Sequence, residues 1–396
     1  MKISRLLKEF LESEKAGGII LLVCTAVSLF IANSQWGHSY IGFWHKDIDL
    51  SFANADLNYS IEHWANDGLM AIFFLLVGLE IERELYTGEL KDIKVAALPI
   101  AAAIGGMLVP AAIHFLFNQG TAAQSGFGIP MATDIAFALG MLALLGNRVP
   151  FSLKIFLTAL AIIDDLGAIL VIAIFYNDGI AWPYLLTASG IFTVLFVLGK
   201  LKVRNLIFYI IPGIIMWYCM LKSGVHATIS GVLLAFAIPF GSGGKKSPSY
   251  KLQHFLHKPV AFIVLPVFAL ANTGLLLSDG WVTELTTNNS FGIILGLLIG
   301  KPLGIILFCF ILIKLRWGSI PAGLLWKHLL GAAVLAGIGF TMSIFIANLA
   351  FKDNNMIQFS KVSVLAGSVL SCITGLAWLH ISLKEKLKED IAEQDE

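Results

Sequence analysis

Two adjacent aspartates, Asp164 and Asp165, lie in the middle of an otherwise apolar run from Phe151 to Phe175. A carboxylate at the centre of a membrane costs roughly 2.5–3.5 kcal/mol on insertion scales. Packing requirements do not explain two such groups side by side. Because carboxylates bind cations and also accept protons, the pair indicates a site that handles cations, protons or both.

Two further ionisable residues, Asp134 and Lys301, fall near the midpoints of other apolar segments. Secondary transporters place their substrate and ion sites at such a common depth. Three carboxylates and one ammonium leave a deficit of positive charge that a bound cation or protons would balance. A structural salt-bridge cluster is the alternative, but one Lys cannot neutralise three Asp. Other ionisable groups lie nearer the segment ends: Asp67, Glu80 and His226.

Neighbouring residues of a helix point about 100° apart, so Asp164 and Asp165 cannot both face one partner. One division consistent with this geometry assigns Asp165 to the cation and pairs Asp164 with Lys301. A shared site that holds either sodium or protons would give exchange by competition alone.

Long apolar segments must hold these residues. The chain has 57% apolar and 13% charged residues and a mean hydropathy of +0.82, outside the range of ordinary soluble domains. We predict an all-α integral membrane protein with twelve transmembrane helices and one domain over residues 1–396, without a soluble catalytic module. The predicted spans are 17–33, 62–83, 95–118, 122–144, 150–176, 182–200, 205–221, 223–240, 259–278, 290–313, 328–351 and 359–382.

Basic residues set the predicted orientation. With both termini in the cytoplasm, 22 of the 27 Lys and Arg side chains fall on the inside and Lys301 lies within a span. This asymmetry favours an even number of spans. The basic residues left on the outside are Lys46, Lys222, Lys352 and Lys361.

Two spans contain residues that disfavour a continuous helix. Gly126-Phe-Gly-Ile-Pro130-Met-Ala-Thr133-Asp134 occupies the fourth, and Gly337-Ile-Gly339-Phe-Thr341-Met-Ser343 lies at the middle of the eleventh. Broken helices expose backbone groups and place opposed dipole ends inside the bilayer. We therefore expect Asp134 to offset the positive ends and Lys301 the negative ones. Close helix packing is the alternative for each glycine cluster taken alone.

The N-terminal residues and the cysteines point away from a processed or metal-bound protein. Residues 1–15 mix both charge signs, which predicts an amphipathic surface helix and no cleavable signal. The cysteines fall inside predicted spans without paired spacing, so neither a disulfide nor a metal framework is predicted. They are Cys24, Cys219, Cys309 and Cys372.

A passive cation channel is the main alternative function. Channels need polar lining along a continuous path, whereas the polarity here is concentrated at one depth and favours alternating access. An intramembrane aspartyl protease needs two carboxylates that converge on one water, and Asp164 and Asp165 diverge. The sequence contains no Gly-rich phosphate loop before a strand, so an ATP-driven pump is not predicted. We predict a secondary active transporter rather than an enzyme, with no cofactor.

Several sequence blocks occur in one order along the predicted spans. They are Ala16-Gly-Gly-Ile-Ile, Phe73-Phe-Leu-Leu-Val-Gly-Leu-Glu80, Ala132-Thr133-Asp134-Ile-Ala-Phe-Ala-Leu-Gly140, Ala161-Ile-Ile-Asp164-Asp165-Leu-Gly-Ala168, Lys222-Ser-Gly-Val-His226-Ala-Thr228, Gly300-Lys301-Pro-Leu-Gly304 and Gly337-Ile-Gly-Phe-Thr341-Met-Ser343-Ile-Phe345. In these blocks, and over essentially its whole length, the chain resembles the NhaA-type sodium/proton antiporters of bacterial inner membranes.

The resemblance implies twelve helices in inverted-topology repeats, with the fourth and eleventh unwound and crossing at the bilayer midplane. It implies that Asp164 and Asp165 exchange ions and protons, that Thr133 lines their site, and that Asp134 and Lys301 compensate the dipoles. The family exports Na+ or Li+ for two H+, an electrogenic exchange that serves sodium and pH homeostasis. A multi-pass protein of the inner membrane follows, with no nucleic-acid partner.

The resemblance also implies regulation by cytoplasmic pH. Charges at the cytoplasmic funnel take part in sensing, and their matching positions here are Glu80, Arg83, Glu84, His254 and His257. This chain has Gln253 where well-known members carry a glutamate and Glu82 where they carry a lysine, so we predict an altered pH-activation profile. Ordinary solvated charges at helix ends are the alternative.

Residues 47–60 alternate polar and apolar side chains around Ala-Asn-Ala-Asp, a pattern that fits a hairpin as well as a plain connecting loop. The resemblance implies that such a periplasmic hairpin joins two copies into a homodimer through sheet edges. His226, as a lone histidine, is interpreted as a packing or hydrogen-bonding residue rather than a proton ligand.

Overall fold

The computed structural model describes residues 2–52, 56–177, 179–241, 243–277, 281–321 and 323–392, which are almost entirely helical. The helices are α1 (Lys2–Ala32), α2 (Gly37–Trp44), α3 (Ile61–Thr87), α4 (Ile93–Asn118), a 3₁₀ helix (Ala122–Met131), α5 (Ile135–Leu144), α6 (Phe151–Phe175), α7 (Trp182–Lys200), α8 (Ile207–Ser223), α9 (Ile229–Ala237), α10 (Pro248–Asn272), α11 (Trp281–Glu284), α12 (Asn288–Lys314), α13 (Trp326–Ala336), α14 (Phe340–Ala350) and α15 (Asn354–Ala392). Single 3₁₀ turns lie at Glu89–Lys91 and Gly146–Arg148.

Seven of the described helices are long and apolar enough to cross a membrane, and three further apolar pairs are bent by more than 40° at a short break. The chain is therefore a multi-span membrane protein. Every predicted span contains a helix, but α9, in the eighth, has nine residues and extends only about 13 Å. The count of twelve spans thus stays a prediction.

The predicted limits of the ninth span were wrong. Its helix is α10, which begins at Pro248 and ends at Asn272, not at 259 and 278. The first three turns of α10 have low hydropathy because they carry Lys251, His254, His257 and Lys258, so the sequence did not predict them as part of the span. Pro248 at the first helical position and the extended backbone of Ser247 before it are typical of a helix start.

Both spans that were predicted to be interrupted are broken. The 3₁₀ helix and α5 meet at a bend of 44°, and α13 and α14 meet at a bend of 45°. Gly337 lies at the second break, where an added Cβ would stand 2.4 Å from the carbonyl oxygen of Leu297 and 2.8 Å from Ser371 Oγ. Only glycine fits this approach, so the break is fixed by packing as well as by weak helix propensity.

Two long helices contain a π turn directly before a proline-bearing segment. In α12 the π turn covers Gly296–Gly300, and Pro302 follows one residue after it. In α10 the π turn covers Val260–Val264, and Pro266 follows in the same way. Proline has no N–H for the usual helical hydrogen bond, and a π turn absorbs the mismatch. In α12 this irregularity places Lys301 at the junction.

The chain packs as two compact units. Described residues of 1–19, 89–168 and 279–396 form one, which we call the first unit, and those of 20–88 and 169–278 form the second unit. These ranges alternate along the sequence, so the prediction of one domain over the whole chain stays a prediction.

Within the first unit, α4 and α12 touch backbone to backbone. A Cβ on Gly105 would lie 2.1 Å from the carbonyl oxygen of Gly304, and one on Gly304 would lie 2.0 Å from that of Gly105. Small residues allow this approach in membrane helices. The contact is one turn from Lys301 and fixes its depth against α4.

The second unit carries the two strands. β1 (Asp47–Asp49) pairs antiparallel with β2 (Asn58–Ser60), with Ile48 opposite Tyr59. Of the two interpretations of residues 47–60, the hairpin is therefore right. Its predicted turn includes residues 53–55, which lie outside the described residues.

Candidate functional site

The two helix breaks of the first unit face each other. At the first, Ala132 and Asp134 are extended, and the Asp134 N–H donates to the Ile338 carbonyl at 2.7 Å in the second break. Thr133 Oγ1 lies 2.9 Å from the carbonyl oxygen of Ala336, the last residue of α13. Backbone groups that the breaks expose are thus partly satisfied across the crossing.

Asp134 binds the N-terminal ends of two helices. Its Oδ1 accepts from the Phe137 N–H at 2.9 Å, as the N-cap of α5. Its Oδ2 accepts from the N–H of Thr341 at 3.1 Å and from Thr341 Oγ1 at 2.5 Å, in the first turn of α14. The carboxylate is 2% exposed. A negative charge at two positive helix ends is electrostatically favourable, and here it also satisfies three donors.

Lys301 is fully buried and binds a carbonyl and a carboxylate. Its ammonium donates to the carbonyl of Met131, the last residue of the 3₁₀ helix. It also lies 2.9 Å from Oδ2 of Asp164, whose side chain is equally buried. The ammonium thus sits at a negative helix end and at a negative side chain, where its charge is most favourable.

Asp164 has two partners on one oxygen. Oδ2, which pairs with Lys301, also accepts from Thr133 Oγ1 at 2.7 Å. Oδ1 has no hydrogen-bond partner within the described part of the chain. Thr133 has one hydroxyl proton and two acceptors in reach, Asp164 and Ala336. This leaves an oxygen-rich cluster in which a small cation would find carboxylate, hydroxyl and carbonyl ligands, the donor types that hard cations prefer.

Asp165 follows on the same helix and is 1% exposed. It adds to the electrostatic field at Lys301. The first unit therefore brings Asp134, Asp164, Asp165 and Lys301 together in its interior, with one positive charge against three carboxylates. Such an imbalance is costly in a low-dielectric interior unless protons or a cation offset it.

The positions assigned to pH regulation lie in the second unit, on α3 and α10. Glu80 is 8% exposed and bonds to the side chain of Gln253. Glu82 is also buried, and its Oε2 accepts from Ser249 Oγ at 2.9 Å. Gln253 and Glu82, the two positions at which the resemblance implies a departure from other members, are thus both buried and in contact with a polar side chain.

The other four predicted positions are close by. Arg83 pairs with Glu84 at 3.3 Å. His254 stacks on Tyr250 with ring centroids 6.1 Å apart, and both Arg83 and His254 are electrostatic neighbours of His257. The structure thus groups the five predicted positions on two adjoining helices.

Sequence reasoning missed three contributors to the central site. Thr341 was noted only as part of a helix-breaking motif, although a Thr next to the start of a helix is a common capping signal. The carbonyl oxygens of Met131 and Ala336 carry no side-chain signal. They become available only because the helices end there.

Comparisons with known proteins agree with one another. The sequence profile described as Na+/H+ antiporter 1 matches residues 8–379. The chain is 58% identical over 394 residues to the Na(+)/H(+) antiporter NhaA of Cytophaga hutchinsonii, covering all of both chains. It is 58% identical over 383 residues to NhaA 1 of Flavobacterium johnsoniae, covering 97% of this chain and 98% of the relative. It is 56% identical over 382 residues to NhaA of Dechloromonas aromatica, covering 96% of each.

Proposed function

The chain belongs to the Na+/H+ antiporter 1 family, and on this premise we propose that it exports Na+ or Li+ in exchange for protons at Asp164 and Asp165. One observation carries the assignment. Asp164 and Asp165 are buried in the first unit, where Asp164 bonds both to Lys301 and to Thr133 of the helix crossing. Ionisable groups inside a membrane protein that pair with one another mark ion and proton pathways.

Competition is the proposed mechanism. A sodium ion needs ionised carboxylates, so protons bound to Asp164 and Asp165 exclude it, and its entry releases them. Oδ1 of Asp164 offers the cation an oxygen without moving Lys301, whereas use of Oδ2 requires the ammonium to move away. The Met131 carbonyl gives that ammonium a second partner during such a move.

We further propose an electrogenic exchange of two protons for each cation by a twelve-span protein of the bacterial inner membrane, with both termini in the cytoplasm. Because two carboxylates discharge for one monovalent ion, one net charge crosses per cycle. A membrane potential then contributes about 2.3 kcal/mol per 100 mV to each cycle.

The test is exchange in proteoliposomes. Purified protein is reconstituted, proton flux is recorded under Na+, Li+ and K+ gradients in turn, and a potential is imposed to probe charge movement. Asp164→Asn and Asp165→Asn are each expected to abolish Na+-driven proton flux, while Asp353→Asn, at an exposed position, retains it. Exchange that survives in Asp164→Asn or in Asp165→Asn contradicts the assignment. Sodium flux without counter-movement of protons identifies the channel alternative instead.

We propose regulation by cytoplasmic pH through the cluster on α3 and α10. Replacing Gln253 by Glu puts a second carboxylate beside buried Glu80, and the two then titrate as a pair. The variant is expected to shift the pH midpoint of transport, whereas Gln124→Glu, in a different part of the fold, leaves it unchanged. Equal midpoints for the native protein and Gln253→Glu would remove the basis for this proposal.

We also propose a homodimer joined through the hairpin of β1 and β2. Two strands alone leave unpaired edges, and such edges pair readily with another chain. Replacing residues 47–60 with a short Gly-Ser linker is expected to convert dimers to monomers in native mass spectrometry. A dimer that persists at the same protein concentration excludes the hairpin as the contact.

A further inference from the structure

An apolar groove of about 980 Å³ runs along the first unit between α12, α13 and α15. One side is formed by α12 residues from Leu298 to Phe310, and the other by α13 residues from Trp326 to Val334. Trp378 of α15 closes one end. The lining is almost wholly apolar, and Lys327 is its charged member.

The packing of α15 against α13 fixes this end of the groove. A Cβ on Gly331 would lie 2.5 Å from the side chain of Leu379 and 3.0 Å from Trp378 Cδ1, so only glycine allows α15 so close. The Trp378 indole N–H donates to the Lys327 carbonyl at 2.8 Å. The Trp326 ring lies 6.2 Å from that of Phe310. These contacts place the two tryptophan rings at one end of the groove, where they form its rim.

The length of the groove matches one lipid leaflet. Leu298 and Phe310 are twelve residues apart on α12, which corresponds to about 18 Å at 1.5 Å per residue. Half of a hydrocarbon core about 30 Å thick is about 15 Å. The groove therefore extends from the rim to about the middle of the bilayer, the path of a single acyl chain.

The charges lie at the end where a headgroup would sit. Lys327 is on the rim, and exposed Lys314 and Arg316 follow at the end of α12 on the same side of the first unit. Basic residues predict that this side faces the cytoplasm. Tryptophan side chains prefer the interfacial layer, and clusters of Lys and Arg there bind anionic headgroups.

We propose that this groove binds one anionic glycerophospholipid of the inner leaflet. One acyl chain lies against Ile299, Leu303 and Leu330, and the phosphate lies beside Lys327 at the tryptophan rim. The lipid bridges α12, which carries Lys301, and α13, which ends at the helix crossing. This lipid site lies outside the ion site, and lipid binding there does not depend on the exchange mechanism.

The test is native mass spectrometry of delipidated protein in detergent, titrated with dipalmitoyl phosphatidylglycerol or with dipalmitoyl phosphatidylcholine. The native protein is expected to retain one phosphatidylglycerol in preference to phosphatidylcholine. Lys327→Gln is expected to weaken phosphatidylglycerol binding about fivefold, the contribution of one basic residue near the surface, with phosphatidylcholine unchanged. Lys200→Gln is the control, since Lys200 lies in the second unit beside the Phe196 ring.

A second variant tests the acyl-chain position. Leu303 is 53% exposed, so Leu303→Trp fills the groove without disturbing the core, and it is expected to remove the retained lipid of either headgroup. Retention by Leu303→Trp equal to that of the native protein overturns the proposal. Equal affinity of the native protein and Lys327→Gln for phosphatidylglycerol also overturns it, as does occupation of this face by a second copy of the chain.

Discussion

Breaking the buried ion pair of Lys301 and Asp164 should destabilise the protein much more than removing both charges. Lys301→Met leaves a fully buried carboxylate, and Asp164→Asn leaves a fully buried ammonium. Loss of one partner of a buried pair costs about 3–5 kcal/mol, so independent effects would sum to about 6–10 kcal/mol.

The double variant should cost far less. With both charges gone, Thr133 can still donate to the amide oxygen of Asn at position 164. The main remaining loss is the donor to the Met131 carbonyl, about 1–3 kcal/mol for a buried acceptor left unsatisfied. A coupling energy of at least about 3 kcal/mol between Lys301 and Asp164 follows.

The assay is the apparent free energy of unfolding in detergent, measured by denaturant titration for the native protein, both single variants and the double variant. Exchange in proteoliposomes is measured on the same samples and is expected to be absent from the double variant despite its recovered stability. Lys314→Met serves as the control, because Lys314 lies exposed in the last turn of the same helix. Its effect should add to that of Asp164→Asn within about 0.5 kcal/mol.

Additive effects of Lys301→Met and Asp164→Asn would refute the reasoning, since they would mean that the two groups do not stabilise each other. Full stability of Lys301→Met would refute it as well. In that case the remaining carboxylate would bear no cost, and its burial could not be the source of the coupling.

Three further predictions concern the helices around the site. Thr133→Val should raise the apparent KM for Na+ about tenfold by removing the hydroxyl beside Asp164, whereas Thr133→Ser should keep it, as measured in proteoliposomes. Asp134→Ala should lower the free energy of unfolding by about 2–4 kcal/mol, because α5 loses its N-cap and the N–H and hydroxyl of Thr341 lose their acceptor. An unchanged unfolding curve would contradict the role of Asp134 at both helix ends. Gly105→Ala should cost about 1–3 kcal/mol by separating α4 from α12, while Gly190→Ala, which meets no atom within 4 Å, should stabilise α7 by about 0.5–1 kcal/mol.

Much of the membrane architecture could be predicted from hydropathy, since apolar runs long enough to cross a bilayer are typical of membrane-spanning helices. The helix breaks could be predicted too, because Pro130 and the glycines around it and Gly337 weaken both helices at mid-span. The limits of α10 could not. Its charged first half has no membrane signal, and only the packed structure shows that the helix continues through it.

Within the central site, the ionisable residues and the pair of Asp164 with Lys301 could be predicted from sequence, whereas their backbone partners could not. A carbonyl such as that of Met131 becomes a ligand only through the end of a helix, a property of the fold rather than of methionine. Glu82 shows the same limit. Its charge is evident from the sequence, but its bond to Ser249 depends on how α10 packs on α3.

Asp134 and Asp164 are the same residue type with nearly the same burial, yet their environments differ in one respect that decides their chemistry. Both oxygens of Asp134 are engaged by donors that belong to the fold, the N–H groups of Phe137 and Thr341 and the Thr341 hydroxyl. A cation could bind Asp134 only by breaking helix caps. Within the described residues, Asp164 accepts on Oδ2 alone, from the Lys301 ammonium and from a hydroxyl that has a second acceptor in reach. Exchange is therefore expected to depend on the charge of Asp164, and Asp134→Asn, which keeps the α5 cap, should alter rates without abolishing transport.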